Sequence, residues 1–213
     1  MTSGERGAAA LADLVAVMDR LRSPGGCPWD AEQTHASLVP YAIEEVFEVA
    51  EAVESGDLAA LREELGDLLL QVVFHARMAA EHPTEPFDIG DVATGIAAKL
   101  RRRHPHVFAD ARVRDAAHVS QRWDEIKQDE KRRDSVLDGI PLALPALARA
   151  QKVLSRAGRT GEAVAAPQGG DVGSRLLALV VEAQATGVDA EGALREAVRE
   201  YEQRVRDAEA GQR

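Results

Sequence analysis

The chain has 213 residues, a formal net charge of −10 and 45% hydrophobic but only 4% aromatic residues, enough to bury a core in one larger domain or in a domain plus a smaller unit. Its apolar content comes mostly from Ala, Leu and Val, which favours an all-α fold, and its acidity repels phosphate backbones, which excludes a general nucleic-acid binder and leaves a metal ion or a local basic cluster to receive any nucleotide. Cys27 is the only cysteine, which excludes a disulfide framework and a Cys-based zinc site, and no run approaches the roughly 18 apolar residues of a membrane span, so a cytoplasmic protein without a membrane partner is expected.

Leu11, Leu14, Val15, Met18 and Leu21 recur at helical spacing and stop at Ser23-Pro24-Gly25-Gly26, which predicts a first helix over 11–21. A polar connector, CPWDAEQTHAS, follows. The next helix is predicted over 38–54, with Ser37 as N-cap, Pro40 in its first turn and Ser55-Gly56 as its stop. Asp57 caps a helix over 58–81, the most apolar of the chain, which ends before Pro83. A helix over 90–103 ends at His104-Pro105. A segment over 119–133 carries Trp123 and Ile126, a turn follows at Asp138-Gly139-Ile140-Pro141, and a helix is predicted over 144–157. The Gly- and Ala-rich stretch 158–173 reads as a linker, and the remainder as two short helices broken at Gly187.

Ile43, Val46, Phe47, Ala50 and Val53 form an apolar stripe expected to face a core. Glu44, Glu45 and Glu48 lie off that stripe in one sector of roughly 100°, where the plain alternative is a solvated acidic face. The following helix is apolar nearly all round, yet Glu64, Asp67, Gln71 and His75 line one edge of it. A carboxylate in such surroundings costs several kcal/mol unless paired or bound to a cation; a buried hydrogen-bonded network through Gln71 and His75 is the structural alternative. The short turn Ser55-Gly56-Asp57 makes the two helices an antiparallel hairpin, so their acidic edges can face each other. Four carboxylates converging without basic partners make sense chiefly around a hard divalent cation, of which Mg²⁺ is the natural candidate.

EEVFE followed by EELGD resembles the EExxE...ExxD motif of the all-α nucleoside triphosphate pyrophosphohydrolases. CPWDAEQTH, GDLLLQVVFHA, KLRRRHPHVF, SVLDGIP and LPALARAQK resemble the MazG family in particular, over roughly residues 14–157. The resemblance implies a MazG-like helical bundle of antiparallel hairpins completed by homodimerisation. It implies metal ligation by Glu45, Glu48, Glu64 and Asp67, with Glu44 as an outer support or further ligand. The cofactor expected is Mg²⁺, with Mn²⁺ as a substitute. It also associates Lys99 and Arg103 with phosphate, and Trp123 and Lys127 with the nucleotide. The alternatives there are compensation of the helix dipole by the basic pair and a core anchor formed by Trp123 with Ile126.

The implied reaction is hydrolysis of a nucleoside triphosphate to a monophosphate and pyrophosphate, with Glu44 or Glu45 orienting or deprotonating the attacking water. No GxxxxGK[ST] loop and no persuasive Ser-His-Asp or Cys-His set offers another route. Two rivals stay open: a sibling enzyme acting on dUTP, dCTP or phosphoribosyl-ATP, and a non-enzymatic helical protein whose acidic edge binds a basic partner. The domain organisation expected is a catalytic domain over 8–157, a linker over 158–173, and over 174–213 the degenerate remnant of a second repeat. In that remnant GSRLLALVVEA matches GDLLLQVVFHA, so Asp171 and Ser174 stand where Glu64 and Asp67 do.

Overall fold

The computed structural model describes residues 2–109, 115, 135–158, 164–166 and 169–211, and among these every regular element is a helix. The chain divides into two units, Met1–Val119 and Ser120–Arg213. The first contains α1 (Ser3–Arg22), α2 (Pro28–Glu32), α3 (His35–Ser55), α4 (Leu58–Ala79), α5 (Ile89–Arg103) and α6 (Pro105–Phe108). The second contains α7 (Ala146–Ala157), α8 (Val172–Ala185) and α9 (Ala190–Ala210).

The α3–α4 hairpin is the centre of the first unit. Gly56 closes α3 in the left-handed region at φ 73°, a conformation that glycine adopts without Cβ strain. Asp57 opens α4 by accepting hydrogen bonds from the backbone N–H of Ala59 and Ala60, which satisfies two otherwise orphaned donors. The other end of α3 begins a turn earlier than its apolar periodicity predicts. Thr34 is the N-cap and Ser37 completes a reciprocal capping box with it. Pro40 therefore lies in the second turn of α3, where its missing N–H leaves the Ala36 carbonyl without an i+4 donor.

Met18 of α1, Leu38 of α3 and Val73, Phe74 and Met78 of α4 form the buried cluster, with Leu14, Val15, Leu69, Leu70 and Ile89 packed around it. The apolar face of α1 thus covers the half of the hairpin that joins the start of α3 to the end of α4. The stripe expected to face a core behaves otherwise. Ile43 is 49%, Val46 51%, Phe47 45% and Val53 59% exposed. The reason is geometric: α4 packs against a different face of α3, on which Leu38 and the small residue Ala52 are buried.

The predicted polar connector between α1 and α3 contains the short helix α2 and is fastened by one side chain. Arg22, only 10% exposed, makes a bidentate ion pair with Glu81 at 2.9 Å. Its Nη1 also donates to the carbonyls of Asp30 and Gln33, and its guanidinium lies 5.9 Å from the centre of the Phe74 ring. Arg77 reinforces this end by pairing with both Asp19 and Glu81. The turn entering the connector is tight, since a Cβ on Gly26 would stand 2.1 Å from the Leu21 carbonyl oxygen.

In the second unit α7 packs with α8 and α9. The Gln151 amide fills the α8–α9 turn, donating to the Val188 carbonyl at 2.6 Å and accepting from the Ala190 N–H at 3.2 Å. The break predicted at Gly187 is present, with φ 74°. The expected segment over 119–133, with Trp123, Ile126 and Lys127, lies outside the described residues.

Replacing Arg22 by Met should lower the stability of the protein by about 2–3 kcal/mol, because charge-assisted hydrogen bonds to a carboxylate and two carbonyls are lost together. The Arg22 hydrogen bond is the main cause holding the Glu81 carboxyl below its ordinary value of 4.5. A depressed pKa contributes stability above the ordinary value that is lost as pH falls through the depressed one. The Arg22→Met deficit in thermal unfolding should therefore be largest near neutrality and shrink in acid; a deficit independent of pH would show that packing over Phe74, not the ion pair, is what Arg22 supplies.

Candidate metal and nucleotide site

The antiparallel hairpin brings the acidic edges of α3 and α4 together. Glu45 and Glu48 of α3 and Glu64 of α4 each place a carboxylate oxygen within 4.8 Å of the others. Glu45 and Glu64 are half-buried and Glu48 is exposed. Asp67, one turn beyond Glu64, is half-buried and stands outside that set of mutual distances, but its charge acts on both Glu45 and Glu64. Glu44 is exposed on α3 beside this group.

The electrostatics have one sign. The Glu45 carboxyl is pushed above its ordinary value of 4.5, first by desolvation and then by the charges of Asp67, Glu48 and Glu64 together with a hydrogen bond to Glu48. Glu64 is raised in the same way, by desolvation and then by Glu48, Glu63 and Asp67. No basic side chain contributes to either shift. Such a group repels itself, and an all-oxygen donor set of this kind fits Mg²⁺, Mn²⁺ or Ca²⁺ rather than zinc.

Further along the same edge of α4, Gln71 is 8% exposed and, among the described residues, its Oε1 has no hydrogen-bond partner. His75 follows, with its Nδ1 2.7 Å from the Nδ1 of His35, the ring centroids 5.0 Å apart and the ring planes 13° from parallel. Among the described residues no hydrogen bond joins Gln71 or His75 to the carboxylates, so the alternative of a polar network neutralising them is not what is built. The pairing of His35 with His75 is invisible in sequence spacing, because it joins two helices across 40 residues. The opposing edge of α3 carries Tyr41 four residues before Glu45, and the Trp29 ring meets it edge-on with centroids 6.2 Å apart. A hint was present in the tryptophan of the CPWD stretch.

Lys99 and Arg103 are carried by α5, which packs on α4, and both are half-buried. Trp123 and Lys127 fall outside the described residues. Among the described residues no helix is long and apolar enough to cross a membrane.

Four similarities bear on this geometry. The family model described as MazG nucleotide pyrophosphohydrolase domain matches residues 33–108, the span of α3 to α6. A nucleoside triphosphate pyrophosphohydrolase of Escherichia coli strain K12 is 50% identical over 70% of this chain and 57% of its own length. The nucleoside triphosphate pyrophosphohydrolase/pyrophosphatase MazG of Thermotoga maritima is 37% identical over 92% of this chain and 84% of its own. A 26.1 kDa protein of Streptomyces cacaoi is 51% identical over 94% and 83% respectively. The chain thus spans little more than half of the Escherichia coli relative and most of the other two.

Because the raised pKa values of Glu45 and Glu64 mean that these two groups hold protons more tightly in the folded protein than in the unfolded chain, their contribution to stability is fully present below 4.5 and is lost as pH rises through the raised values. Glu45→Gln should accordingly stabilise the protein in chelator at neutral pH, by about 1 kcal/mol for each unit-charge repulsion relieved near water at about 4 Å. The gain should vanish toward pH 4. Thermal unfolding across that pH range checks the sign; a destabilised Glu45→Gln protein at pH 7 would mean that the carboxylates are paired rather than in conflict.

Proposed function

We propose, from the premise that the chain belongs to the MazG nucleotide pyrophosphohydrolase family, that it is a Mg²⁺-dependent hydrolase converting nucleoside triphosphates to monophosphates and pyrophosphate, with a housekeeping role in the nucleotide pool. The observation that carries this reading is the convergence of Glu45, Glu48 and Glu64 from two antiparallel helices, with no basic partner among the described residues.

Glu45, Glu48, Glu64 and Asp67 would hold the ion, Asp67 completing the set from the next turn of α4. When bound, Mg²⁺ supplies the charge that offsets the triphosphate and favours ionisation of a water. Glu44 or Glu45 orients the attacking water or takes its proton. Attack at the α-phosphorus breaks its bond to the bridging oxygen, and pyrophosphate leaves with that oxygen. Lys99 and Arg103 contact the phosphates through charge-assisted N–H donors, and Trp123 and Lys127 contact the nucleotide.

The exposed stripe Ile43, Val46, Phe47 and Val53 supports a homodimer, since an apolar face of this length on the carboxylate-bearing helix is otherwise left in water. The net charge of −10 supports a free nucleotide, not a nucleic-acid polymer, as the substrate, and a single cysteine fits a cytoplasmic location. Catalysis is assigned to residues 8–157, joined by a linker over 158–173 to the remnant repeat over 174–213. In the remnant the residue matching Glu64 is Asp171, whose carboxylate accepts from both the N–H and the hydroxyl of Ser174 at the start of α8. A carboxylate committed to capping, beside a serine where Asp67 would stand, supports a structural role.

Glu48→Gln and Asp67→Asn should each abolish Mg²⁺-dependent pyrophosphate release while leaving helical content intact, and Lys99→Ala or Arg103→Ala should weaken triphosphate binding by about 1.5–3 kcal/mol with a smaller effect on the monophosphate. Near-normal turnover of either carboxylate variant at saturating Mg²⁺ refutes the ligand assignment.

Removal of 174–213 should leave turnover measurable but lower the melting temperature, because α7 then loses both of its helical neighbours. If a truncated protein that is still folded and dimeric is inactive, the tail belongs to the active site.

A further inference from the structure

The first turn of α3 is loosely knit to the rest of that helix. Pro40 brings no N–H to the Ala36 carbonyl, so one rung of the helical ladder is missing and the chain can hinge there. Leu38 holds this turn to the core by burial, and two imidazoles hold it by a polar contact. The Nδ1 of His35, the first residue of α3, stands 2.7 Å from the Nδ1 of His75 on α4. The ring planes are 13° from parallel and the centroids 5.0 Å apart, a separation close to the hydrogen-bond length plus two ring radii. The rings therefore lie side by side with the two nitrogens between them, and the contact is an in-plane N–H···N bond.

Such a bond holds one proton between two nitrogens, one ring donating and the other accepting. A first added proton can sit on an outer Nε2 while the bridge stays intact. Once both rings are charged, each Nδ1 carries a hydrogen, no lone pair is left between them, and two cations face each other. One of those cations would also stand at the N-terminus of α3, where the peptide dipoles already present positive partial charge.

No neighbouring carboxylate relieves that repulsion. Before Glu44, His35 is the only titratable or charged side chain of α3 besides Tyr41. Around the pair, Asp19 and Arg22 of α1, Arg77 of α4 and Glu81 just beyond it are engaged with one another. Asp88 and Asp91 are engaged in the capping box that opens α5, and the His82 imidazole accepts the Glu85 N–H. Asp30 and Glu32 lie on α2. Among the described residues, the one charge that acts on His75 is that of His35.

We propose that His35 and His75 form an acid-opened latch, which fastens the first turn of α3 to α4 at neutral pH and releases it, hinging at Pro40, when both rings are protonated. Desolvation and then the His35 charge hold the His75 imidazole below its ordinary value of 6.5. The stability this group contributes is therefore fully present above 6.5 and is lost as pH falls through the lowered value. The Arg22 clasp titrates later, because the Glu81 carboxyl is held below 4.5. Release is thus confined to the first turn of α3, while Arg22 keeps α2 tied to the end of α4.

The test is amide hydrogen exchange, corrected for its intrinsic pH dependence, at about pH 7.5 and about pH 4.5, on either side of imidazole titration. The reporters are Leu38, whose N–H bonds to the Thr34 carbonyl, and Ala80, whose N–H bonds to Ala76 beside the Arg22 clasp. In the wild type, acid should lower protection at Leu38 about tenfold, the loss of about one hydrogen bond, and leave Ala80 unchanged. In His35→Asn, whose amide can bond to His75 in either protonation state without taking a charge, Leu38 should stay protected at both pH values. In His35→Phe it should be exposed to exchange at both. Wild-type protection at Leu38 that ignores pH, an acid loss that persists in His35→Asn, or full protection of His35→Phe at neutral pH each overturns the latch. A second measurement needs no variant: imidazole ¹⁵N spectra of the wild type should show coupling across the Nδ1–H···Nδ1 bond at neutral pH and its disappearance in acid. Absence of that coupling at neutral pH, or its survival in acid, overturns the proposal as well.

Discussion

The repulsion among carboxylates at the α3–α4 interface is the constraint on which the first unit is organised. Glu45, Glu48 and Glu64 would separate if the helices carrying them were free, since neighbouring negative charges raise the cost of ionising Glu45 and Glu64. They are held by apolar packing at the opposite end of the same hairpin, where Leu38 meets Val73, Phe74 and Met78 under the cover of Met18. Hydrophobic burial at one end thus sustains electrostatic conflict at the other, an arrangement that costs stability and concentrates negative potential where a divalent cation can relieve it.

The connector between α1 and α3 extends that logic. Arg22 sits beside the core rather than on the surface, and it spends all three guanidinium nitrogens on Glu81 and on the carbonyls of Asp30 and Gln33. This fastens α2 to the end of α4 and carries Trp29 to Tyr41 and His35 to His75. Groups separated by 12 to 40 residues become neighbours along one edge of the hairpin because one cation ties the intervening loop down.

The apolar stripe on α3 shows the limit of a single chain. Its periodicity is as regular as that of a buried face, yet Ile43, Val46, Phe47 and Val53 remain about half exposed, because α4 engages the neighbouring face on which Leu38 and Ala52 are buried. Periodicity reports that a surface is apolar on one side; it does not say whether the cover comes from the same chain. The second unit shows the converse, with α7 packed on α8 and α9 through Gln151, a contact that composition alone does not announce.

The sequence by itself determined the helical class, the hairpin and the acidic constellation, because helical spacing, Gly56, Asp57 and the EEVFE and EELGD strings act within a few residues of one another. The start of α3 was misplaced because Thr34 and Ser37 form a cap only as a reciprocal pair, and the apolar pattern begins after it. Only the tertiary structure decided which of the acidic residues meet within 4.8 Å, that Gln71 is buried, that His35 closes on His75 and that Arg22 anchors the connector. These depend on the register and rotation of one helix against another, which are set by the sum of many packing contacts and leave no local mark in the chain.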